Sequence, residues 1–114
     1  MSDPLIEVRD DPDEGAYVVE VDGESAGEAV YRVRGGRHLF VHTEVDERFA
    51  GMGVGTRLVQ EALDDVRARG GSVVPICPFF AAYIRRHPEY EDLIDQQLYQ
   101  RVKKIRQGES DVEG

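Results

Sequence analysis

The sequence predicts an α+β domain built on a mixed, mostly antiparallel sheet, and three observations lead to this class. Between residues 5 and 45, short runs alternate apolar and polar residues and are separated by turn signals, as in an antiparallel meander. From Val54 onward, apolar residues recur at helical spacing. A short apolar run, "SVVPIC", interrupts the helical part. The predicted order is therefore β-β-β-β-α-β-α, with a possible further helix at the C-terminal end.

Four strands are predicted in the first part of the chain. The first covers residues 5–10 and is followed by the acidic turn "DDPDEG". The second, "AYVVEV", ends at Asp22-Gly23, a dipeptide that favours a tight hairpin. The third, "ESAGEAVYRVR", ends at Gly35-Gly36, and "RHLFVHTEV" is the fourth. These four strands form the predicted antiparallel meander.

Alternation along the fourth strand predicts which side chains share a face of the sheet, because successive side chains on a strand point to opposite faces. One face is expected to carry Leu39, Val41, Thr43 and Val45. The other is expected to carry His38, Phe40, His42 and Glu44. On this prediction His42 and Glu44 are neighbours on one surface.

The first helix is predicted from Val54, through apolar residues at helical spacing, to the stop signal Gly70-Gly71. The run "SVVPIC" then forms the fifth strand. Because one helix joins the fourth strand to the fifth, these two strands must be parallel neighbours, or nearly so.

Two further helical segments are predicted after the fifth strand. Pro78 opens a helix over "FFAAYIRRH", with Phe79 and Phe80 in the core, and Pro88 ends it. Residues 89–107 form an amphipathic helix with acids at its beginning and bases at its end, as the helix dipole favours. We expect one domain over residues 1–107 and a flexible tail over residues 108–114.

Composition limits the possible partners. The 114 residues include 23 acidic and 14 basic side chains, a formal net charge of −9. Such a charge repels nucleic acid and anionic membranes, so neither is an expected partner. No apolar run approaches the ~20 residues of a membrane span. The acidic N-terminus does not resemble a signal peptide, and Cys77, the one cysteine, cannot form an internal disulfide. We expect a cytoplasmic protein without a metal site.

The segment "HTEVDERFAGMGVGTRL" carries three closely spaced glycines just before the first helix. It is not a P-loop, because Gly55 is followed by Thr56-Arg57 and the lysine is absent. It is not a dinucleotide fingerprint, because the third glycine comes one residue early. Exposed backbone N–H groups at a helix N-terminus favour the binding of an anion such as a phosphate. A tight turn that lets a strand enter a helix explains the loop equally well.

The run "RFAGMGVGTRLVQEAL" resembles the R/Q-x-x-G-x-G/A acyl-CoA loop of the GCN5-related N-acetyltransferases, with Arg48, Gly51 and Gly53 in the matching positions. "HTEV" before this loop and "PICPFFAAYIRRHPEY" after it are similar to a small, single-domain branch of that superfamily. The resemblance extends over residues 24–94. It implies a minimal form of the family's fold, in which the fourth and fifth strands splay apart.

The resemblance also implies a binding site for acetyl-CoA. The pyrophosphate would lie on the backbone amides of residues 49–56, and the pantetheine arm would follow the end of the fourth strand. The candidate cofactor-binding residues are Thr43, Glu44, Val45, Arg48, Phe49, Gly51, Met52, Gly53, Val54, Gly55, Thr56 and Arg86, with Arg85 as the alternative to Arg86. The larger enzymes carry two helices between their first and second strands. This chain has only a turn there, so we expect an open acceptor site.

His42 and Cys77 are the candidate catalytic residues. A histidine can accept a proton near neutral pH, although His42 could also only form a hydrogen bond within the sheet. Cys77, expected at a helix N-terminus, could accept the acetyl group, protonate the departing CoA thiolate or only line the slot.

The predicted function is acetyl-CoA-dependent N-acetyl transfer to an unidentified amine, on a small molecule or a protein. One alternative is a CoA-binding module with little turnover. Another is an interaction domain that uses the C-terminal segment and has lost CoA. The sequence leaves the oligomeric state open.

Overall fold

The predicted class and element order are confirmed. The computed structural model describes the backbone of residues 3–112 and the side chains of residues 3–105. The strands are β1 (Ile6–Asp11), β2 (Ala16–Val21), β3 (Glu24–Arg34), β4 (Arg37–Val45) and β5 (Ser72–Pro75). The helices are α1 (Val54–Ala68), α2 (Pro78–Arg86) and α3 (Gln96–Val112), and Glu47–Phe49 and Pro88–Leu93 form short 3₁₀ helices.

The five strands form one sheet in the order β1-β2-β3-β4-β5. Neighbouring strands are antiparallel except β4 and β5, which are parallel. The parallel pairing joins only Arg37–Phe40 to Ser72–Pro75. A last hydrogen bond, from the Cys77 N–H to the Phe40 carbonyl at 2.8 Å, ends the contact. Beyond it β4 continues to Val45 without β5, so the predicted splay of the two strands is confirmed.

A β-bulge in β4 changes which side chains share a face. Tyr31 pairs with Phe40 and Val30 pairs with His42, so Val41 has no partner in the register. One extra residue shifts the alternation by one position. Thr43, which pairs with the buried Ala29, therefore lies on the same face as Phe40. The predicted grouping of Thr43 with Leu39 and Val41 is wrong, and so is the grouping of His42 with Phe40.

The hydrophobic core lies between the sheet and helices α1 and α2. The Phe40 and Phe80 rings stack at a centroid distance of 4.0 Å at its centre. The largest fully buried side chains include Tyr17, Val19, Phe40, Leu58, Leu63 and Phe80. On the opposite face, β3 and β4 carry half-buried or exposed side chains such as those of Glu28 and His42. One face of the sheet thus holds the domain together, and the other is open around β3 and β4.

The single helix predicted from residue 89 is wrong. Pro88–Leu93 forms a 3₁₀ helix, and Ile94 then makes a parallel bridge with Val73 of β5. The Asp95 N–H donates to the Val73 carbonyl at 3.0 Å. Asp95 also accepts from the Leu98 N–H at 3.0 Å, which caps the beginning of the last helix. Pairing with the sheet edge therefore delays the start of α3.

Helix α3 begins at Gln96 and continues past Gly108, where the sequence predicts it to end. Its beginning is fixed to the sheet by an ion pair between the Arg37 Nε and the Asp95 carboxylate at 2.6 Å. Within residues 3–112, no helix is both long and apolar enough to cross a membrane.

The burial of His38 makes the stability of the fold depend on pH. Its side chain packs on Tyr31 with ring centroids 4.8 Å apart, and among the described residues its Nδ1 has no hydrogen-bond partner. Burial lowers the pKa of His38; Asp10 and Asp65 oppose this effect, and Arg69 adds to it. The unfolded chain therefore binds more protons than the folded one as pH falls below the usual histidine value, near ~6.5.

We predict that the free energy of unfolding decreases as pH falls through this range, and that His38→Phe reduces the decrease. Urea unfolding of both proteins at about pH 7.5 and about pH 5.5 measures it. An equal decrease in wild type and variant would show that His38 does not cause it.

Candidate active site

The unpaired edge of β4 is the first component of the site. The Asp46 N–H donates to Ala26 of β3 at 2.8 Å, so the backbone at Asp46 faces β3. Backbone groups alternate along a strand, so those of Thr43 and Val45 face away from β3. On that side β5 has already diverged, and within residues 3–112 nothing in the sheet pairs with them. This opening beside residues 43–45 is the β4–β5 gap.

The glycine loop, residues 50–56, lies at the end of this edge. Gly51 and Gly53 have φ of 84° and 74°, the left-handed region that glycine adopts without strain. A Cβ on either residue would meet nothing within 4 Å, so the backbone is open to a ligand on this side. The loop therefore exposes its peptide groups to solvent instead of packing them on the core.

Helix α1 begins at the loop without a capping side chain. Its first intrahelical bond runs from the Arg57 N–H to the Gly53 carbonyl at 3.0 Å. In the described part of the chain, the N–H groups of Gly53, Val54, Gly55 and Thr56 donate no hydrogen bond. Four free donors at the positive end of a helix dipole suit an anion such as a phosphate.

Arg48, a predicted cofactor residue, lies beside acids of its own chain. Its guanidinium is 3.2 Å from the Asp46 carboxylate and 3.7 Å from that of Glu24, and it lies over the Phe49 ring. Hydrogen bonds from the Arg48 backbone and side chain lower the pKa of Asp46. Both acids compete with any phosphate for this guanidinium. Arg48 binding to the cofactor stays a prediction.

Phe79 closes the side of the glycine loop, although the sequence predicts it in the core. Phe79 is 41% exposed, and it lines two cavities. One, of about 230 Å³, lies between the loop and Val45. A Cβ on Gly55 would be 2.6 Å from the Phe79 Cζ, so the third glycine permits this close contact.

The second cavity, of about 350 Å³, lies between the first turn of α1 and helix α2. Thr56, Tyr83 and Arg86 line it together with Phe79. Arg86 is exposed and makes no ion pair with any described residue, so its charge is available beside the loop. Tyr83 is buried and stacks on His87 at 4.2 Å, and burial raises the pKa of its hydroxyl. These contacts make Tyr83 a core residue whose edge reaches the cavity.

Cys77 lies where β4 and β5 separate and immediately precedes α2, as the sequence predicts. It is 4% exposed, and its Sγ is 3.2 Å from the Thr43 Oγ1 across the β4–β5 gap. His42 lies on the opposite face of the sheet, is 58% exposed, and has its Nε2 3.8 Å from the Glu44 Oε1. The two candidate catalytic residues thus lie on opposite faces of the sheet and are not in contact.

Comparison with known proteins agrees with this geometry. A family described as GCN5-related N-acetyl-transferase matches residues 16–93, which contain β2 to α2 and the whole glycine loop. The chain belongs to this family. It is a family of N-acetyltransferase enzymes.

A solved structure has a similar fold. The chain is similar to the NMR solution structure of a GCN5-like protein from Staphylococcus aureus, with a TM-score of 0.59 and 21% sequence identity. The match covers 77% of this chain and 86% of the other. Among curated proteins, no sequence matches significantly. At this identity the structural match supports the fold alone.

The packing around the β4–β5 gap can be tested by replacing each of two glycines with alanine. Both glycines have an ordinary φ. A Cβ on Gly27 would be 2.5 Å from the Glu44 carbonyl oxygen, whereas a Cβ on Gly55 would meet the far end of the Phe79 side chain. Backbone cannot move away as easily as a half-exposed ring. We predict that Gly27→Ala lowers the free energy of unfolding by about 1–3 kcal/mol. Gly55→Ala should change it by less than about 1 kcal/mol.

Urea unfolding of the two variants measures the difference, and NOEs to the Phe79 ring report its displacement in Gly55→Ala. Equal losses of stability, or an unmoved ring, would contradict the packing described for β4 and the loop.

Proposed function

We propose that this chain transfers the acetyl group of acetyl-CoA to an amine. The observation that carries this proposal is the continuity of the unpaired edge of β4 with the four free amides that begin α1. A ligand with a phosphate at one end and an amide-containing arm would satisfy both parts at once. Membership of the N-acetyltransferase family supports acetyl-CoA as that ligand.

The phosphates would be held by the loop and by α2. Gly51 and Gly53 expose the loop backbone, and the N–H groups of residues 53–56 are free donors at the beginning of α1. Arg86 adds the free positive charge, Phe49 precedes the loop, and Met52 lies within it with an exposed side chain. Charge-assisted hydrogen bonds of this kind are stronger than neutral ones.

The pantetheine arm would lie in the β4–β5 gap. It carries amide groups, and the free backbone groups of Thr43 and Val45 can pair with them as a neighbouring strand would. Glu44, between these two residues, faces the open side of the sheet. The thioester would then lie where the two strands separate, beside Cys77.

The acceptor amine would approach from the open face, where His42 lies. An amine attacks a carbonyl only in its neutral form, so a base on that side promotes the reaction. His42 has an accessible ring and a carboxylate partner in Glu44. Its side chain can take the proton that the amine loses, and Glu44 stabilises the resulting imidazolium.

Cys77 would act on the opposite side of the gap as the proton donor to the leaving group. Acetyl-CoA supplies the activated acetyl group, and its C–S bond breaks as the new C–N bond forms. The Cys77 thiol can give its proton to the departing sulfur, and the proton released by the amine through His42 and solvent restores the thiol. The net reaction consumes acetyl-CoA and amine and yields amide and CoA, with protons balanced.

The acceptor is an amine of a small molecule or a protein, and we propose that the reaction takes place in the cytoplasm. The region that would form an acceptor wall is here the short turn between β1 and β2. An open site of this kind suits acceptors of different sizes.

Cofactor binding is tested by a matched pair of arginines in α2. Arg86 lines the cavity beside Thr56, whereas its neighbour Arg85 does not. We predict that Arg86→Ala weakens CoA binding about tenfold, the effect of one charge-assisted hydrogen bond, and that Arg85→Ala has little effect. Isothermal titration calorimetry with CoA measures both. Equal weakening by both variants would indicate attraction by net charge rather than a contact.

Catalysis is tested by His42→Ala and Cys77→Ala in assays with acetyl-CoA and a broad panel of amines. We predict that each variant lowers kcat by about 10²–10⁴, the usual effect of losing a general base or acid, while the affinity for CoA is retained. Binding of CoA without wild-type turnover on any amine would instead support a CoA-binding module. Absence of CoA binding would leave an interaction domain.

A further inference from the structure

We infer that Thr43 is a positioning residue for Cys77, and that its hydroxyl holds the Cys77 sulfur beside the point where the cofactor sulfur would lie. The inference rests on the proposed function for the identity of that sulfur. In the proposed function, the backbone groups of Thr43 bind the cofactor arm. The inference adds a role for the Thr43 side chain, which lies on the core face of the sheet.

The contact occupies a distinctive place in the sheet. The last backbone hydrogen bond between β4 and the segment after β5 joins the Cys77 N–H to the Phe40 carbonyl at 2.8 Å. The next link between the same two segments is made by side chains, Cys77 Sγ and Thr43 Oγ1, at 3.2 Å. Among the described residues, this is the one hydrogen bond between a side chain of β4 and a side chain of the segment that joins β5 to α2.

The bulge at Val41 makes this contact possible. Without the extra residue, Thr43 would lie on the face of Leu39, on the open side of the sheet. With it, Thr43 lies on the core face and pairs with the buried Ala29. Cys77 is on the same face and is 4% exposed. The irregularity in β4 therefore brings a hydroxyl to the one thiol of the chain.

A hydroxyl serves this thiol in both of its protonation states. The Thr43 oxygen accepts a hydrogen bond from the Sγ–H, which holds the Cys77 sulfur in place beside β4. When the thiol has given its proton to the departing sulfur, the Thr43 O–H can rotate and donate to the Cys77 thiolate. No heavy atom has to move in this step. Cys77 regains a proton from solvent, which receives through His42 the proton that the attacking amine loses.

A purely packing role would place different demands on this position. Valine has nearly the same shape as threonine and would fill the same space on the core face, but it has no hydroxyl. Thr43→Val therefore removes the hydrogen bond and keeps the volume. Thr43→Ser keeps the hydroxyl and removes a methyl group. The two variants separate positioning of the thiol from packing.

The first experiment measures Cys77 itself and needs neither cofactor nor turnover. Because the sequence has one cysteine, the rate of alkylation by iodoacetamide, followed by mass spectrometry, reports this thiol alone. We expect Thr43→Val to slow the reaction about tenfold, the effect of losing one hydrogen bond to a charged sulfur, and Thr43→Ser to remain within about threefold of wild type. Equal rates in all three proteins would overturn the inference.

The second experiment is a double-mutant cycle in kcat. If Thr43 acts through the thiol, Thr43→Val lowers kcat with little change in KM for acetyl-CoA, and it has no further effect in a Cys77→Ala background. A full additional loss in that background would overturn the inference. Urea midpoints check folding, and Thr43→Ala replaces Thr43→Val if the latter is destabilised.

The two experiments also separate this inference from the proposed function. If wild type transfers no acetyl group but the alkylation rates differ as expected, the proposed function fails and the role of Thr43 stands. If wild type is active and the alkylation rates are equal, the function stands and the inference fails.

Discussion

The hydrogen bond from the Cys77 N–H to the Phe40 carbonyl is the contact on which the rest of the site depends, because it is where β4 and β5 stop pairing. The short β5 ends at Pro75, which has no N–H to continue the ladder, and Pro78 then fixes the first turn of α2. Two prolines in one short segment therefore turn the chain away from β4. The remaining length of β4 is left with a free edge that leads directly to the glycine loop.

The region around this contact also determines on which face of the sheet Cys77 and His42 lie. Helix α2 starts at the point of separation, so Cys77 is held on the core face, near Thr43. The bulge at Val41 places His42 on the open face instead. In the proposed function, an acid on one face and a base on the other suit a reaction in which the acyl donor and the amine enter from opposite faces of the sheet. The proposed roles of His42 and Cys77 therefore do not require the two side chains to be in contact.

Much of this architecture follows from the sequence, because its signals are local. Alternation and tight-turn dipeptides predicted the strands, glycines and helical spacing predicted the loop and α1, and Pro78 predicted the position of Cys77 at the start of α2. The bulge at Val41 could not be predicted, because it depends on which β3 residue lies opposite. One unpredicted residue was enough to reverse the faces of Thr43 and His42.

Other differences also come from contacts between distant parts of the chain. The delayed start of α3 reflects the pairing of Ile94 with Val73, which local amphipathicity does not reveal. Phe79 is half exposed because the absence of a side chain at Gly55 lets its ring lie over the loop. Arg48 lies on Asp46 and Glu24, which the family motif alone does not indicate. In each case the partner comes from another element or from outside the motif.

The most direct measurement is a titration of the ¹⁵N-labelled protein with CoA, followed by amide chemical shifts. If the glycine loop holds the phosphates and the free edge of β4 holds the arm, the amides of Gly51, Gly53 and Gly55 shift together with those of Thr43 and Val45. Gly70, just beyond the far end of α1, serves as the internal control and should not move. Saturating CoA that leaves the loop glycines unchanged would contradict acyl-CoA binding at this site.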